Sequence, residues 1–167
     1  KGVLNPKQPV SNLMVNELVK AIAGRSTNED DVLYYCVPAE PIDADYDVEY
    51  HKQILHGVFE DLGYKNINVM TEGVAIIYSE LADTQYTGIG MSFGAGMCNI
   101  VYSFMGMPVF SFSLSRGGDW IDAHAAQHTD ETHNVVTTIK EKAGFSLYDS
   151  TNGIQKAISV YYESLLS

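Results

Sequence analysis

Apolar runs follow one another in two different ways along this chain, and the switch between them limits the folds it can adopt. In the first half helical and extended patterns alternate. Leu13, Met14, Leu18, Val19 and Ile22 recur at helical spacing within residues 10–23, with Ser11 as the expected N-cap and Gly24 as the stop. Val32-Leu33-Tyr34-Tyr35-Cys36-Val37 is a short continuous apolar run ended by Pro38, which predicts a strand buried on both faces. Ile54, Leu55, Val58, Phe59 and Leu62 form one stripe of a helix over 48–62, closed by Gly63. A strand at 67–70 and a helix at 72–81 follow. Beyond Asp83 come three strands in succession, 86–93, 98–105 and 108–114, separated by Gly94-Ala95-Gly96 and Gly106-Met107-Pro108. Connections that short imply antiparallel hairpins. Helices are expected from Arg116-Gly117-Gly118-Asp119 onward, over 135–142 with a stop at Ala143-Gly144, and over 154–166. The whole is an α/β layer architecture with a linker near 82–85, without solenoid repeats or low-complexity tracts.

Charge narrows the partners. A net charge of −11 disfavours a nucleic-acid backbone, whose phosphates repel an acidic surface, but leaves room for a nucleotide held by backbone amides. The acidic clusters at 29–31 and 43–49 read as solvated loops. No apolar run reaches membrane-spanning length and no signal-peptide pattern opens the chain. The two cysteines, Cys36 and Cys98, lie in apolar runs. They read as small buried hydrophobes in a reducing, cytoplasmic setting. The chain opens at Lys1, which suggests a piece of something longer.

The most informative stretch for chemistry is Ser92-Phe93-Gly94-Ala95-Gly96-Met97-Cys98-Asn99. A strand runs into a small-residue turn and a second strand leaves it. Glycines there let backbone N–H groups approach a phosphate, although a plain hairpin turn has the same composition. Elsewhere, His124 and His128 lie four apart, as a metal pair on a helix would, among Asp119, Asp122, Asp130, Glu131 and His133. With no His-Glu-x-x-His pattern, they read as a polar helix face and no metal site is expected. His51 and His56 read as surface or boundary residues, Cys36 lacks any local nucleophile signature, and Tyr34, Tyr35, Tyr161 and Tyr162 read as packing residues. Met91, Met97, Met105 and Met107 read as core or interface fill.

Order adds to these local signals. A strand ending Val37-Pro38, then Thr71-Glu72-Gly73-Val74-Ala75, the glycine turn, Gly117-Gly118-Asp119-Trp120-Ile121-Asp122, and finally Ile139-Lys140-Glu141-Lys142-Ala143-Gly144 occur in succession. Over residues 32–146 this series resembles the actin-like ATPase superfamily of actin, MreB, FtsA and the heat-shock chaperones. The resemblance implies an actin-like, ribonuclease H-like α/β fold with a mixed sheet flanked by helices. Residues 1–82 would complete a first lobe and 83–167 would begin a second. It also implies ATP and Mg2+ as ligands, with self-association as a possible second property. Gly94, Ala95, Gly96 and Met97 would hold phosphates, and Gly117, Gly118 and Asp119 would bring a helix start close to the nucleotide. Lys140 would lie along the adenosine pocket, and Glu72 with Ser92 would stand at the reacting phosphate.

Departures from the family pattern weaken that chemistry. Ser92 stands where an aspartate usually holds the metal-bound water, Met97 where a hydroxyl residue usually sits, and Asn99 where a second aspartate is usual. Thr137 replaces a ribose-contacting glutamate and Gly73 replaces a proline. Neither a first phosphate loop nor a later Gly-Gly adenosine motif is present in the sequence. The expectation is therefore an ATP-binding domain fragment with weak or no hydrolysis. A non-catalytic scaffold or filament subunit is the rival, and a sugar- or acid-kinase-like enzyme is a third reading.

Overall fold

The computed structural model describes residues 3–45, 47–142, 145–148 and 152–167. The expected helix stop at Ala143-Gly144 lies outside them. Two compact units emerge. One joins Lys1–Ser92 to Cys98–Ser115, and the other joins Phe93–Met97 to Arg116–Ser167. The linker expected near 82–85 is a 3-10 turn, Ala82–Thr84, inside the first unit, with Gln85 and Tyr86 both at positive φ.

The first unit alternates α1 (Pro9–Ala23), β1 (Val32–Val37), α2 (Val48–Asp61), β2 (Asn66–Thr71) and α3 (Glu72–Glu80), then adds β3 (Gly88–Phe93), β4 (Cys98–Phe104) and β5 (Met107–Leu114). β1 and β2 pair in parallel with Tyr35 opposite Val69, while β3, β4 and β5 form a separate three-stranded sheet in that order, with β4 and β5 antiparallel. Parallel and antiparallel pairing thus coexist, as the mixed α/β expectation requires. A single parallel bridge, Pro41 to Ser113, ties the chain after β1 to the end of β5. Ser113 Oγ completes it by donating to the Ala39 carbonyl at 2.8 Å.

The core of this unit gathers Leu4, Tyr35, Val37, Leu55, Val58, Phe59 and Leu62, so the stripe read from α2 does turn inward. Asp47 caps that helix by accepting the Tyr50 amide at 2.7 Å. Three expectations fail here. Helix α1 begins at Pro9, whose missing N–H and fixed φ suit the first turn, so Gln8 and not Ser11 is the N-cap. Its apolar stripe faces outward, with Leu13, Met14, Leu18 and Ile22 all exposed, while Val15, Val19 and Ala23 pack on the core. β1 is buried on one face only. Val32, Tyr34 and Cys36 are exposed, because helices cover just the Tyr35 and Val37 side.

Helix α3 lies against the antiparallel sheet through two glycines. A Cβ on Gly73 would come within 2.8 Å of Val101 Cγ1, and one on Gly90 within 2.7 Å of the Gly73 carbonyl. That clearance is the physical reason for glycine at position 73.

The second unit is helical: α4 (Gly118–Thr129), α5 (His133–Lys140) and α6 (Gly153–Leu166). Among the described residues Met97, Ile121, Ala125, Ala126, Val136, Ala157, Ile158 and Leu165 are its buried apolar residues. Thr132 and Asn152 cap α5 and α6 by accepting the amides of Val135 and Gln155. Among the described residues no helix is long and apolar enough to cross a membrane.

Candidate functional site

Each unit carries its own cluster of the residues singled out by sequence. In the first, Glu72 opens α3. Its Oε2 accepts from Ser92 Oγ at 3.0 Å and from Asn99 Nδ2 at 2.8 Å. Asn99 is buried, and its Oδ1 accepts the Ala39 amide at 2.8 Å. The amide side chain therefore bridges the end of the β1 segment to the Glu72 carboxylate. Neutral donors occupy both positions at which the family pattern has acids, and the carboxylate meets hydrogen-bond donors where two further charges would repel it. Nearby, partial burial and the charge of Glu72 push the exposed Cys36 thiol above its ordinary pKa. A raised pKa disfavours the thiolate, which is the nucleophilic form. Cys98 is fully buried and its thiol is pushed up to about 11 by burial.

The donor set does not fit a directly bound Mg2+. Magnesium takes oxygen ligands, usually with one or two carboxylates. Ser92 and Asn99 replace carboxylates with neutral groups, and among the described residues no three His, Cys, Asp or Glu come together as an ion site.

In the second unit the bend Phe93–Met97 rests on the first turn of α4. Gly94 N donates to Met97 O at 2.9 Å and closes the bend. The first amides of α4 are then satisfied by it, Gly118 N donating to Gly94 O at 2.9 Å and Asp119 N to Ala95 O at 2.8 Å. Only glycine fits at 117: a Cβ there would lie 2.5 Å from Gly94 O, 2.7 Å from Ala95 O and 2.7 Å from Met97 N. Among the described residues the Ala95 and Gly96 amides have no hydrogen-bond partner. Met97 is buried, so its side chain is core fill, whereas Met105 and Met107 are exposed.

Lys140, at the end of α5, reaches back to this turn. Its Nζ lies 2.7 Å from Asp122 Oδ1 and donates to the Gly118 carbonyl at 3.3 Å, while Thr137 Oγ1 donates to Asp122 Oδ2 at 2.8 Å. Asp122 is buried on α4. It is the last residue of the Gly117-Gly118-Asp119-Trp120-Ile121-Asp122 stretch quoted above. A second signal in the sequence is its place as an acid among Ile121, Ala125 and Ala126, where an unpaired charge would not be tolerated. A cavity of about 270 Å³ opens beside these groups, lined by the bend, the start of α4, α5 and Tyr162.

The histidines do other work. His51 is buried, where a surface or boundary residue was expected; its Nδ1 accepts the Leu4 amide at 3.0 Å, and burial lowers its pKa. His124 and His128 belong to an aromatic face rather than a polar one. His124 stacks on Trp120 at 4.2 Å between ring centroids and both histidines neighbour Tyr161, while Arg116 lies 5.3 Å over the indole. Because the Trp120 carbonyl only accepts, the 2.8 Å contact places a proton on His124 Nδ1.

A family model described as Volactin matches residues 1–167. The chain belongs to the Volactin family. Solved structures place the fold of this Volactin chain among actin-like proteins. A MamK double helical filament matches with a TM-score of 0.65 at 16% identity, over 99% of this chain and 56% of that one. The ethanolamine utilization protein EutJ from Carboxydothermus hydrogenoformans matches with a TM-score of 0.57 at 16% identity, over 93% and 53%. MreB5 of Spiroplasma citri bound to AMPPNP matches with a TM-score of 0.54 at 16% identity, over 95% and 42%. The Volactin chain thus spans about half the length of the solved structures it matches. None of the curated proteins compared by sequence matches it.

Proposed function

We propose that this Volactin-family chain is an actin-like nucleotide-binding domain that holds ATP weakly and hydrolyses it little or not at all. The observation that carries this reading is the close seat of the Gly94–Gly96 bend on α4. Gly117 permits it, and it leaves the Ala95 amide, beside an open cavity, without a hydrogen-bond partner among the described residues. A backbone amide left open at a bend suits an anion. Lys140, Gly118 and Asp119 line the same cavity, where a nucleoside could lie. MreB5, a structural neighbour, has been solved bound to ADP and to AMPPNP. Weak hydrolysis follows from Ser92 and Asn99, neutral residues that occupy Glu72 with hydrogen bonds and offer no charge to a metal-bound water. In this reading residues 1–82 belong to the first lobe of an actin-like parent and 83–167 to the second, and free Cys36 and Cys98 accord with a reducing cytoplasm.

Isothermal titration of the full chain with ATP, with and without Mg2+, tests this. The expected result is reversible binding with Kd above about 10 µM, little changed by Mg2+, and no phosphate release above background. Absence of binding at millimolar ATP would overturn the nucleotide reading, and sustained turnover would overturn the claim of a degenerate site.

A filament or scaffold role is the second reading. The outward row Val10, Met14, Leu18 and Ile22 on α1 favours it, as does the double helical filament of MamK. Pelleting that is indifferent to nucleotide would support it over the first.

A further inference from the structure

We propose that the tip of the β4–β5 hairpin is a docking finger that enters the surface of a net-neutral lipid bilayer. The proposal goes beyond the nucleotide reading and does not depend on it. It stands on what the tip exposes, on where its backbone hydrogen bonds go, and on where charge is absent.

Phe104, Met105, Met107, Val109 and Phe110 are each between 49% and 66% exposed, and no polar side chain lies among residues 104–110. Met105 and Gly106 make the turn, with φ of 50° and 78°. Positive φ at both central residues is the two-residue hairpin turn in which asparagine or glycine fills the first place at least cost. A methionine held there costs stability, and what it adds is apolar surface at the tip. Beside the turn Tyr78 and Tyr86, both partly exposed, meet edge to face with ring centroids 5.5 Å apart. Tyrosine, an apolar ring with a polar end, favours the headgroup level of a bilayer.

The backbone at the turn makes its hydrogen bonds within the protein. Met105 N donates to Thr87 Oγ1 at 2.9 Å and Gly106 N to Tyr86 O at 3.3 Å. Gly106 O accepts from Tyr78 Oη at 2.9 Å and Met107 O from Ser103 Oγ at 3.3 Å. Pro108 has no N–H to satisfy. Exposed turns can leave such groups to water, which hydrocarbon does not replace. These four groups enter lipid without being stranded. A protein partner, by contrast, is recognised in part through a polar rim that exchanges hydrogen bonds, and side chains 104–110 have none to exchange.

Charge selects the kind of lipid. Residues 84–115 contain no Asp, Glu, Lys, Arg or His, while the whole chain carries −11. An uncharged finger is complementary to uncharged hydrocarbon. With no lysine or arginine in it, nothing in the finger draws the chain to anionic headgroups, and the acidic remainder is repelled by them.

The test is co-sedimentation of the full chain with phosphatidylcholine vesicles, repeated with about a third of the lipid replaced by phosphatidylserine. The chain is expected to pellet with phosphatidylcholine, to pellet several-fold less with the mixed vesicles at low salt, and to recover at about 0.5 M salt, where repulsion is screened. Met105→Asn installs the favoured Asn-Gly turn pair, so it should melt no lower than the wild type yet bind phosphatidylcholine about tenfold more weakly. That variant keeps the test valid where a more disruptive change in β5 would loosen the sheet. Absence of wild-type binding to phosphatidylcholine overturns the proposal, as does undiminished binding by a folded Met105→Asn chain or a preference for the mixed vesicles. A wild-type oligomer in lipid-free buffer that Met105→Asn dissociates also overturns it, because a second copy then covers the tip.

Discussion

Lys140 Nζ and Asp122 Oδ1 lie 2.7 Å apart, joining the end of α5 to the buried side of α4. The aspartate is almost wholly removed from water, so its charge depends on this partner. Lys140→Met is expected to cost about 3–5 kcal/mol, because it strands a buried carboxylate. Adding Asp122→Leu should recover most of the loss, since apolar replacement of a buried pair is often neutral or better. Chemical denaturation of the single and double variants checks the pair. Additive losses would show that the two side chains act separately.

Gly117→Ala is expected to destabilise by about 1–3 kcal/mol or more, through overpacking alone. Gly117 has φ −141°, which any residue adopts, so backbone strain contributes nothing. The cost comes from three backbone atoms within 2.7 Å of the new Cβ, none of which can rotate away. Urea melts give the loss. The same variant should weaken ATP binding by more than its stability loss accounts for, because the bend must shift to admit the methyl group.

Asn99→Asp sets a second carboxylate against Glu72 and removes the 2.8 Å donor. The new group's folded pKa is raised by its neighbour's charge, so the stability associated with its protonated form is present at low pH and lost as pH rises through that pKa. The variant should melt close to the wild type near about pH 4 and fall behind by about 2–3 kcal/mol at neutrality. A deficit independent of pH would count against the charge explanation.

His51 gives the opposite pH behaviour to that variant. Burial lowers its folded pKa below the ordinary histidine value, and its neutral Nδ1 accepts the Leu4 amide. The unfolded chain therefore binds the proton more readily. The stability is fully present above about pH 6.5 and declines as pH falls from there toward the lower folded value. Melting temperature should drop over that window in the wild type, with a falling protection factor at the Leu4 amide. His51→Gln should flatten this part of the profile.

Much of the element order is legible in the sequence because glycine, proline and apolar spacing punctuate it locally. The stripe Leu55, Val58, Phe59 and Leu62 predicts a buried helix face, and the structure has one. The same logic misleads at α1 and β1. Periodicity says which side chains share a face, not whether anything covers that face, and Met14, Leu18 and Tyr34 stand exposed. At the candidate site, the glycines and Lys140 are visible from motif spacing. The pairing of Asp122 with Lys140 is not, because it depends on α4 and α5 converging from positions far apart in sequence. Asn99 looks like a loss when compared with an acidic family pattern, and its bond to Glu72 makes it a specific donor instead.

Five residues from the turn between β3 and β4, Phe93–Met97, belong with the helical unit and not with the strands they connect. The helical part is therefore an incomplete gene segment by itself. A polypeptide trimmed to begin at Arg116 would lack the floor on which its first helix starts. The two parts cannot be traded between proteins as cassettes, and any drift in the turn must be matched by drift at the glycine pair that meets it.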